Sequence, residues 1–133
     1  MVDYEGDLPE GIVQLGEGSY AIQGKEAGSS WEVMYAIALS NAGWEYEYLA
    51  AWWIVGKALE IDFRVFTTPK ISFVFIDGGI WHSGEENQND KVERLRLYDA
   101  TKTFAYEPIT VTNPDCQTYD ACWAHVIKTF SRK

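Results

Sequence analysis

Four residues of this chain have the types and spacing to hold a cation and move a proton: Glu32, Asp62, Asp77 and His82. Leu59, Ile61, Phe63 and Val65 alternate with Glu60, Asp62 and Arg64, a period of two that a half-buried strand satisfies. Thr67-Thr68-Pro69-Lys70 reads as a turn, and Ile71 to Ile76 is apolar at nearly every position, which suits a central strand covered on both faces. A turn centred between Thr68 and Pro69 sets Asp62 opposite Phe75 and Glu60 opposite Asp77. The two aspartates then leave the same face as diagonal neighbours about 7–8 Å apart at Cα, a gap that carboxylates span around one ion. Asp77 closes an apolar run where an unpartnered carboxylate is costly, so it needs a counter-charge. Magnesium, or manganese in its place, takes such carboxylates with a strand-end carbonyl and leaves positions for water and a phosphate. His82, in the loop after Asp77, titrates near neutrality and can carry a proton.

Several elements must position these groups. Ser29 followed by Glu32 forms a capping box, and Met34, Ile37, Ala38 and Asn41 continue at helical spacing to a stop at Gly43, which predicts a helix over 30–42. Trp44 to Val55 reads as a strand ended by Gly56, and Asp90 to Lys102 as a second helix. Ile109 to Val111 is a short strand, and Tyr119 to Phe130 a closing helix with Trp123, Val126, Ile127 and Phe130 on the face that packs against the sheet. The order is α-β-β-β-α-β-α, an α/β (α+β) fold with a mixed central sheet flanked by helices. Residues 1–27, broken repeatedly by glycine, are expected to be an acidic arm with one short strand near Tyr20 to Gln23, and residues 28–133 to be the folded domain.

The ordered set of Glu32, Ile61-Asp62-Phe63-Arg64-Val65 and Phe73-Val74-Phe75-Ile76-Asp77-Gly78-Gly79-Ile80-Trp81-His82 resembles the very-short-patch mismatch repair endonucleases within the PD-(D/E)XK nuclease superfamily. The resemblance spans about Gly28 to Val111. It implies a restriction-endonuclease-like core and a magnesium-dependent endonuclease that hydrolyses DNA phosphodiesters in repair, recombination or a mobile element. By the same resemblance Asp62 is the principal metal ligand, the Ile76 carbonyl a second, His82 the proton carrier, and Glu32 a helix glutamate acting through water, while Asp77, read as a metal ligand from its place beside Asp62, stands where the superfamily usually has lysine and the mismatch enzymes histidine. Phe75 stands where many relatives carry an acid or glutamine, and the superfamily lysine is missing. Trp81 is either a core plug or a residue that stacks on a base, while Lys57, Lys70, Lys91, Arg94 and Arg96 would meet flanking phosphates.

The net charge of −9 argues against nonspecific adhesion to phosphate polymers. Residues 1–30 carry six acids against one base, so the acidity is concentrated in the arm, which would either occlude a nucleic-acid groove or dock on a protein partner. The longest apolar run, Leu49 to Val55, is seven residues, far short of the roughly 20 of a membrane span. With an acidic start that is unlike a signal peptide, it places the chain in the cytoplasm. Cys116 and Cys122 match no zinc or redox spacing and are expected to be free, buried side chains, and with His125 they do not form a structural zinc site. Two other readings compete: an inactive nuclease fold serving as an interaction module, and a small-ligand binder whose pocket is lined by Trp44, Tyr48, Trp52 and Trp53.

Overall fold

The structure, a computed structural model, describes residues 2–54, 57–77 and 85–130. Its elements in chain order are β1 (Ile12–Gly16), β2 (Ser19–Ile22), β3 (Lys25–Glu26), α1 (Ser30–Asn41), β4 (Tyr46–Ile54), β5 (Lys57–Val65), β6 (Ser72–Ile76), α2 (Glu85–Thr101), β7 (Ile109–Val111), α3 (Asn113–Cys116) and α4 (Tyr119–Thr129). From α1 onward the expected order is present, with α3 added. The main sheet has the strand order β4-β5-β6-β7, antiparallel through β6 and parallel between β6 and β7, so it is mixed.

Helix α1 begins where the capping box places it, since the Ser29 hydroxyl accepts the Glu32 N–H at 3.3 Å. Seven consecutive residues, Val33 to Leu39, are buried, so α1 is apolar all round and runs through the interior rather than across the surface. It packs on the sheet through Tyr48, Phe63, Val65, Val74 and Ile76. Because α1 occupies that position, α4 packs on α1 and not on the sheet as the sequence predicts, with Val126 and Phe130 buried and Ile127 exposed. On the opposite sheet face α2 contributes Leu97 to a second cluster with Ala50, Ile61, Phe73, Phe75 and Ala105. All five residues of β6 are buried, as expected of a strand covered on both sides.

The segment before Gly28 departs from the sequence reading. It forms three antiparallel strands, not one, with the chain turning at Gly18 and Gly24, whose φ of 73° and 81° lie in the left-handed region that favours glycine. Ile12 and Ile22 from this small sheet enter the same core as α1. The side-chain amide of Gln23 acts as a peptide group toward β4: Nε2 donates to the Tyr46 carbonyl at 2.7 Å, and Oε1 accepts the Tyr48 N–H at 2.8 Å. Lys25 Nζ donates to the Tyr48 carbonyl at 2.8 Å. Together these side chains cover the outer edge of β4, which would otherwise present unpaired backbone groups.

Cys116 and Cys122 form a disulfide that joins α3 to α4, and this corrects the expectation of free thiols. Both are buried, as expected, but α3 bends the chain back and brings the sulfurs together. Among the described residues no helix is long and apolar enough to cross a membrane.

Removing the Gln23 amide leaves a half-buried strand N–H, that of Tyr48, without its partner. Gln23→Ala is expected to lower the unfolding free energy by about 1–2 kcal/mol. Urea denaturation should show a lower midpoint at an unchanged slope.

Candidate functional site

β5 and β6 form the hairpin that positions the site. They pair Phe63 with Val74, Arg64 with Phe73 and Val65 with Ser72, the register expected from the Thr67–Lys70 turn. The ladder stops there. The Asp77 N–H points to the Val111 carbonyl on β7 at 2.8 Å, so by strand alternation the Ile76 N–H points toward β5. Its regular partner there would be the Ile61 backbone. Instead the Asp62 carboxylate accepts the Ile76 N–H at 2.7 Å, which wedges a side chain between the two strands.

The same position marks a change in the sheet. Phe63 and Val65 pack toward α1, whereas Ile61 and Leu59, of the same parity on the same strand, pack toward α2. On the facing strand Tyr48 belongs to the first group, Ala50 and Trp52 to the second. Leu49 lies between them with a φ of 53°, and the Leu49–Asp62 pair is missing from an otherwise constant β4–β5 register. The ribbon therefore turns over at Asp62.

A cavity of about 230 Å³ opens at this point, lined by Leu59, Glu60, Asp62, Phe75, Ile76, Asp77, Glu93 and Arg94. Asp62, Asp77 and Ile76 thus share one hollow, as do Glu60 and Glu93, of which the sequence reading placed only Glu60 here. Glu32 is held at the start of α1, where its carboxylate accepts from the Ser29 hydroxyl at 3.0 Å and, in a very short bond, from the Tyr48 hydroxyl. Tyr48 also accepts the Gly28 N–H at 3.2 Å. This fully buried tyrosine, which the sequence reading assigned to an aromatic pocket, is the link between Glu32 and the sheet.

Asp77 has its counter-charge from within the chain. Arg94 of α2 grips it with two parallel bonds of 2.5 and 2.6 Å, donates a third at 3.0 Å to the Thr110 hydroxyl, and lies 4.4 Å over the Phe75 ring. Such a fork is a strong, oriented pairing, and both side chains are largely buried. Arg94 is therefore a wall of the cavity and not the free phosphate contact expected of it. No local signal announces this partner, because helix and strand meet only in three dimensions.

The remaining expected contacts are dispersed. Lys70 sits at the opposite end of β6 from Asp77, about 20 Å away at the rise of a strand, and donates to the Lys102 carbonyl at 3.0 Å. Lys91 and Arg96 are exposed on α2; about 100° per residue puts Lys91 nearer the bearing of Arg94 and Arg96 on another flank. Trp81 and His82 lie outside the described residues, as does the side chain of Lys57. None of residues 2–27 lines the cavity, so the acidic arm does not occlude it; Asp3 instead accepts the Tyr119 N–H at 2.8 Å. The four residues of the aromatic-pocket reading are divided between the two core clusters and the surface. Trp44 packs on Phe130, Trp52 on Phe73 and Phe104, Tyr48 on Phe63, and Trp53 is exposed.

Burial pushes the Asp62 carboxyl up from 3.8 to about 7, against the opposing effect of the Ile76 N–H, with Glu32 and Asp77 adding to the rise and Arg94 reducing it. Burial, followed by the bond to Glu32, also raises the Tyr48 hydroxyl. His125, away from this site, is lowered by burial.

No protein-family model and no curated protein matches the sequence. Among solved structures, the chain is similar to a protein of unknown function, AF1548, at 15% identity and a TM-score of 0.47. The alignment covers 62% of this chain and 46% of that one, so it spans under half of the other protein's length.

The folded state holds the Asp62 proton more tightly than the unfolded chain does. The contribution of this carboxyl to stability therefore falls as pH rises from about 4 to about 7, and is constant above. Asp62→Asn, which keeps an acceptor for the Ile76 N–H, is expected to stabilise the protein at pH 8 by on the order of a few kcal/mol. Urea midpoints at pH 4 and pH 8 check this, the gain vanishing at the lower value.

Proposed function

We propose that this chain is a metal-dependent nuclease with a restriction-endonuclease-like core, cutting DNA at the cavity between the ends of β5 and β6. The observation that carries this reading is the convergence of Asp62, Asp77 and Ile76 on one hollow at the point where the hairpin ladder breaks. The sequence order of helix, three antiparallel strands, helix and parallel strand agrees with the nuclease core that the motif resembles.

Among the described residues no group of three or more His, Cys, Asp or Glu side chains is arranged to hold a metal ion, so a hard cation here would rest on one carboxylate, a carbonyl and water. Asp62 is a buried carboxylate with excess negative charge around it, and Ile76, whose backbone carbonyl is the second oxygen donor the resemblance implies, lines the same cavity. Asp62 and the Ile76 carbonyl would hold the metal, with Glu32 and Glu60 reaching it through water. When bound, magnesium polarises the phosphate and lowers the pKa of a water. Asp77 does a different job from the one its sequence position implies: it aims the Arg94 guanidinium into the cavity wall. Arg94 supplies the fixed positive charge that the missing superfamily lysine would have carried, at a place where charge on a phosphoryl oxygen builds up. Tyr48 holds the Glu32 carboxylate in place. His82 is assigned the proton transfer by its sequence position.

The Arg94–Asp77 fork also favours a second reading, in which the cavity is a closed, inactive remnant and the protein acts as an interaction module. The two differ in metal affinity. Calorimetry with magnesium or manganese should show binding that Asp62→Ala abolishes, and labelled DNA should be cut only when the ion is present. Activity should fall by about 100-fold or more in Asp62→Ala and in Arg94→Met. Absence of metal binding and of cleavage across branched, mismatched, single-stranded and duplex substrates would reject the nuclease and leave the module.

A further inference from the structure

Residues 1–30 hold a single base, Lys25, among six acids. It flanks the tip of the β2–β3 hairpin, where Gln23 and Gly24, with φ of 53° and 81°, form the two-residue turn whose twist suits antiparallel strands. The turn carries the Gln23 and Lys25 side chains to the outer edge of β4. Gln23 bonds there as a strand would, to the Tyr46 carbonyl and the Tyr48 N–H. Lys25 makes a pair of contacts that no regular strand could. Its Nζ donates to the Tyr48 carbonyl at 2.8 Å and to the Leu49 carbonyl at 3.4 Å.

Consecutive carbonyls of a regular strand point to opposite edges. With Tyr48 paired to Phe63 and Ala50 to Ile61, Leu49 would stand opposite Asp62 and aim its carbonyl at β5, as Glu45 of the same parity does toward the Phe66 N–H at 3.0 Å. The Leu49 carbonyl has instead turned to the outer edge, beside that of Tyr48, and the residue holds a φ of 53°. A left-handed conformation is unfavourable for leucine, whose Cβ crowds the following carbonyl, so a tertiary contact must hold it. The Lys25 ammonium is in place to do so, gathering two adjacent carbonyl dipoles on one cation with three donors to share. The consequence lies on the other side of the strand. Without Leu49 as its partner, Asp62 is released from the β4 ladder where the ribbon turns over, and its carboxylate reaches the Ile76 N–H at 2.7 Å as it lines the cavity. Neither Lys25 nor Leu49 lines that cavity, so both act on it through the backbone.

We propose that Lys25 is a positioning residue for the Asp62 site, holding Leu49 in the conformation that unpairs Asp62 and opens the cavity. The N-terminal sheet is then a working part of the site and not an appendage. The effect on metal binding and cleavage rests on the nuclease reading, whereas the effect on Leu49 does not.

The test compares wild type, Lys25→Met, Lys25→Arg and Gln23→Ala. Methionine keeps the aliphatic stem and loses the donors, whereas arginine keeps charge and donors. Gln23→Ala removes bonds from the same hairpin to the same strand but leaves Lys25 on the Leu49 carbonyl, so it controls for loosened docking. In Lys25→Met, manganese affinity by calorimetry should fall by roughly 10-fold or more, the worth of one charge-assisted hydrogen bond. For DNA cleavage kcat should fall with KM little changed. Lys25→Arg should recover most of the loss, and Gln23→Ala should bind manganese as wild type does. NMR reads Leu49 without any metal: the strong NOE between its own N–H and Hα that marks a positive φ should weaken in Lys25→Met, and a cross-strand NOE between Leu49 and Asp62 should appear. Should Lys25→Met fail to fold, Lys25→Gln, with a neutral donor on a shorter stem, takes its place in the same comparison. Equal manganese affinity in wild type and Lys25→Met, with the Leu49 NOE unchanged, would overturn the proposal and leave the metal site standing. Equal losses in Lys25→Met and Gln23→Ala would overturn it in favour of simple docking. No manganese binding by any form, with the Leu49 NOE still weakened in Lys25→Met, would support the positioning and reject the nuclease.

Discussion

A carboxylate taking a backbone amide that belongs to a sheet ladder is the contact on which the site depends. Were Ile61 to bond Ile76 as strand alternation directs, β5 and β6 would close side by side and leave no space at their ends. Asp62 substitutes for that backbone partner. The hairpin then splays, the ribbon turns over, and a polar cavity opens beside a fully buried strand. The substitution is costly, because the carboxyl is held among apolar neighbours and close to other acids, and its affinity for a proton rises accordingly. Under the proposed function, the cation would relieve this unfavourable carboxylate at the break in the central hairpin.

Around that contact the two faces of the sheet have separate duties. The α1 face is the thick core, and it holds Glu32 and Tyr48 in a fixed bonded pair. The α2 face is thinner, and it brings Arg94 across the sheet to Asp77 and Thr110, tying helix, β6 and β7 together at the cavity wall. Acid groups reach the hollow from β5, β6 and α2, with one arginine among them. Under the proposed function, so acidic a chain would approach DNA only with help from cations, and its affinity would depend steeply on salt.

Much of this was legible in the sequence because it is locally encoded. The Thr67–Lys70 turn and the alternation on either side of it give the hairpin register from Val65–Ser72 to Phe63–Val74, but the expected Asp62–Phe75 and Glu60–Asp77 pairs do not form, and Asp62 meets the end of β6 through its carboxylate instead. The capping box and glycine stop define α1 within a residue, and Ile109–Val111 is where the apolar triplet predicts it. What was not legible depends on contacts between distant segments. Arg94 finds Asp77 only through helix packing, and Tyr48 finds Glu32 only across the core. Glycines in the first 28 residues look like breakers, yet they are the turns of a three-stranded sheet whose Gln23 imitates a strand. Cys116 and Cys122 fit no motif, and their disulfide follows from the short α3 that the sequence pattern does not announce.

Anomalous scattering from crystals soaked in manganese tests most directly the hard-cation site proposed at Asp62. The account predicts a single strong peak in coordination contact with the Asp62 carboxylate and the Ile76 carbonyl, with Asp77 still forked onto Arg94. Manganese elsewhere at saturating concentration, with Asp62 unaltered on the Ile76 amide and no density beside it, would contradict it.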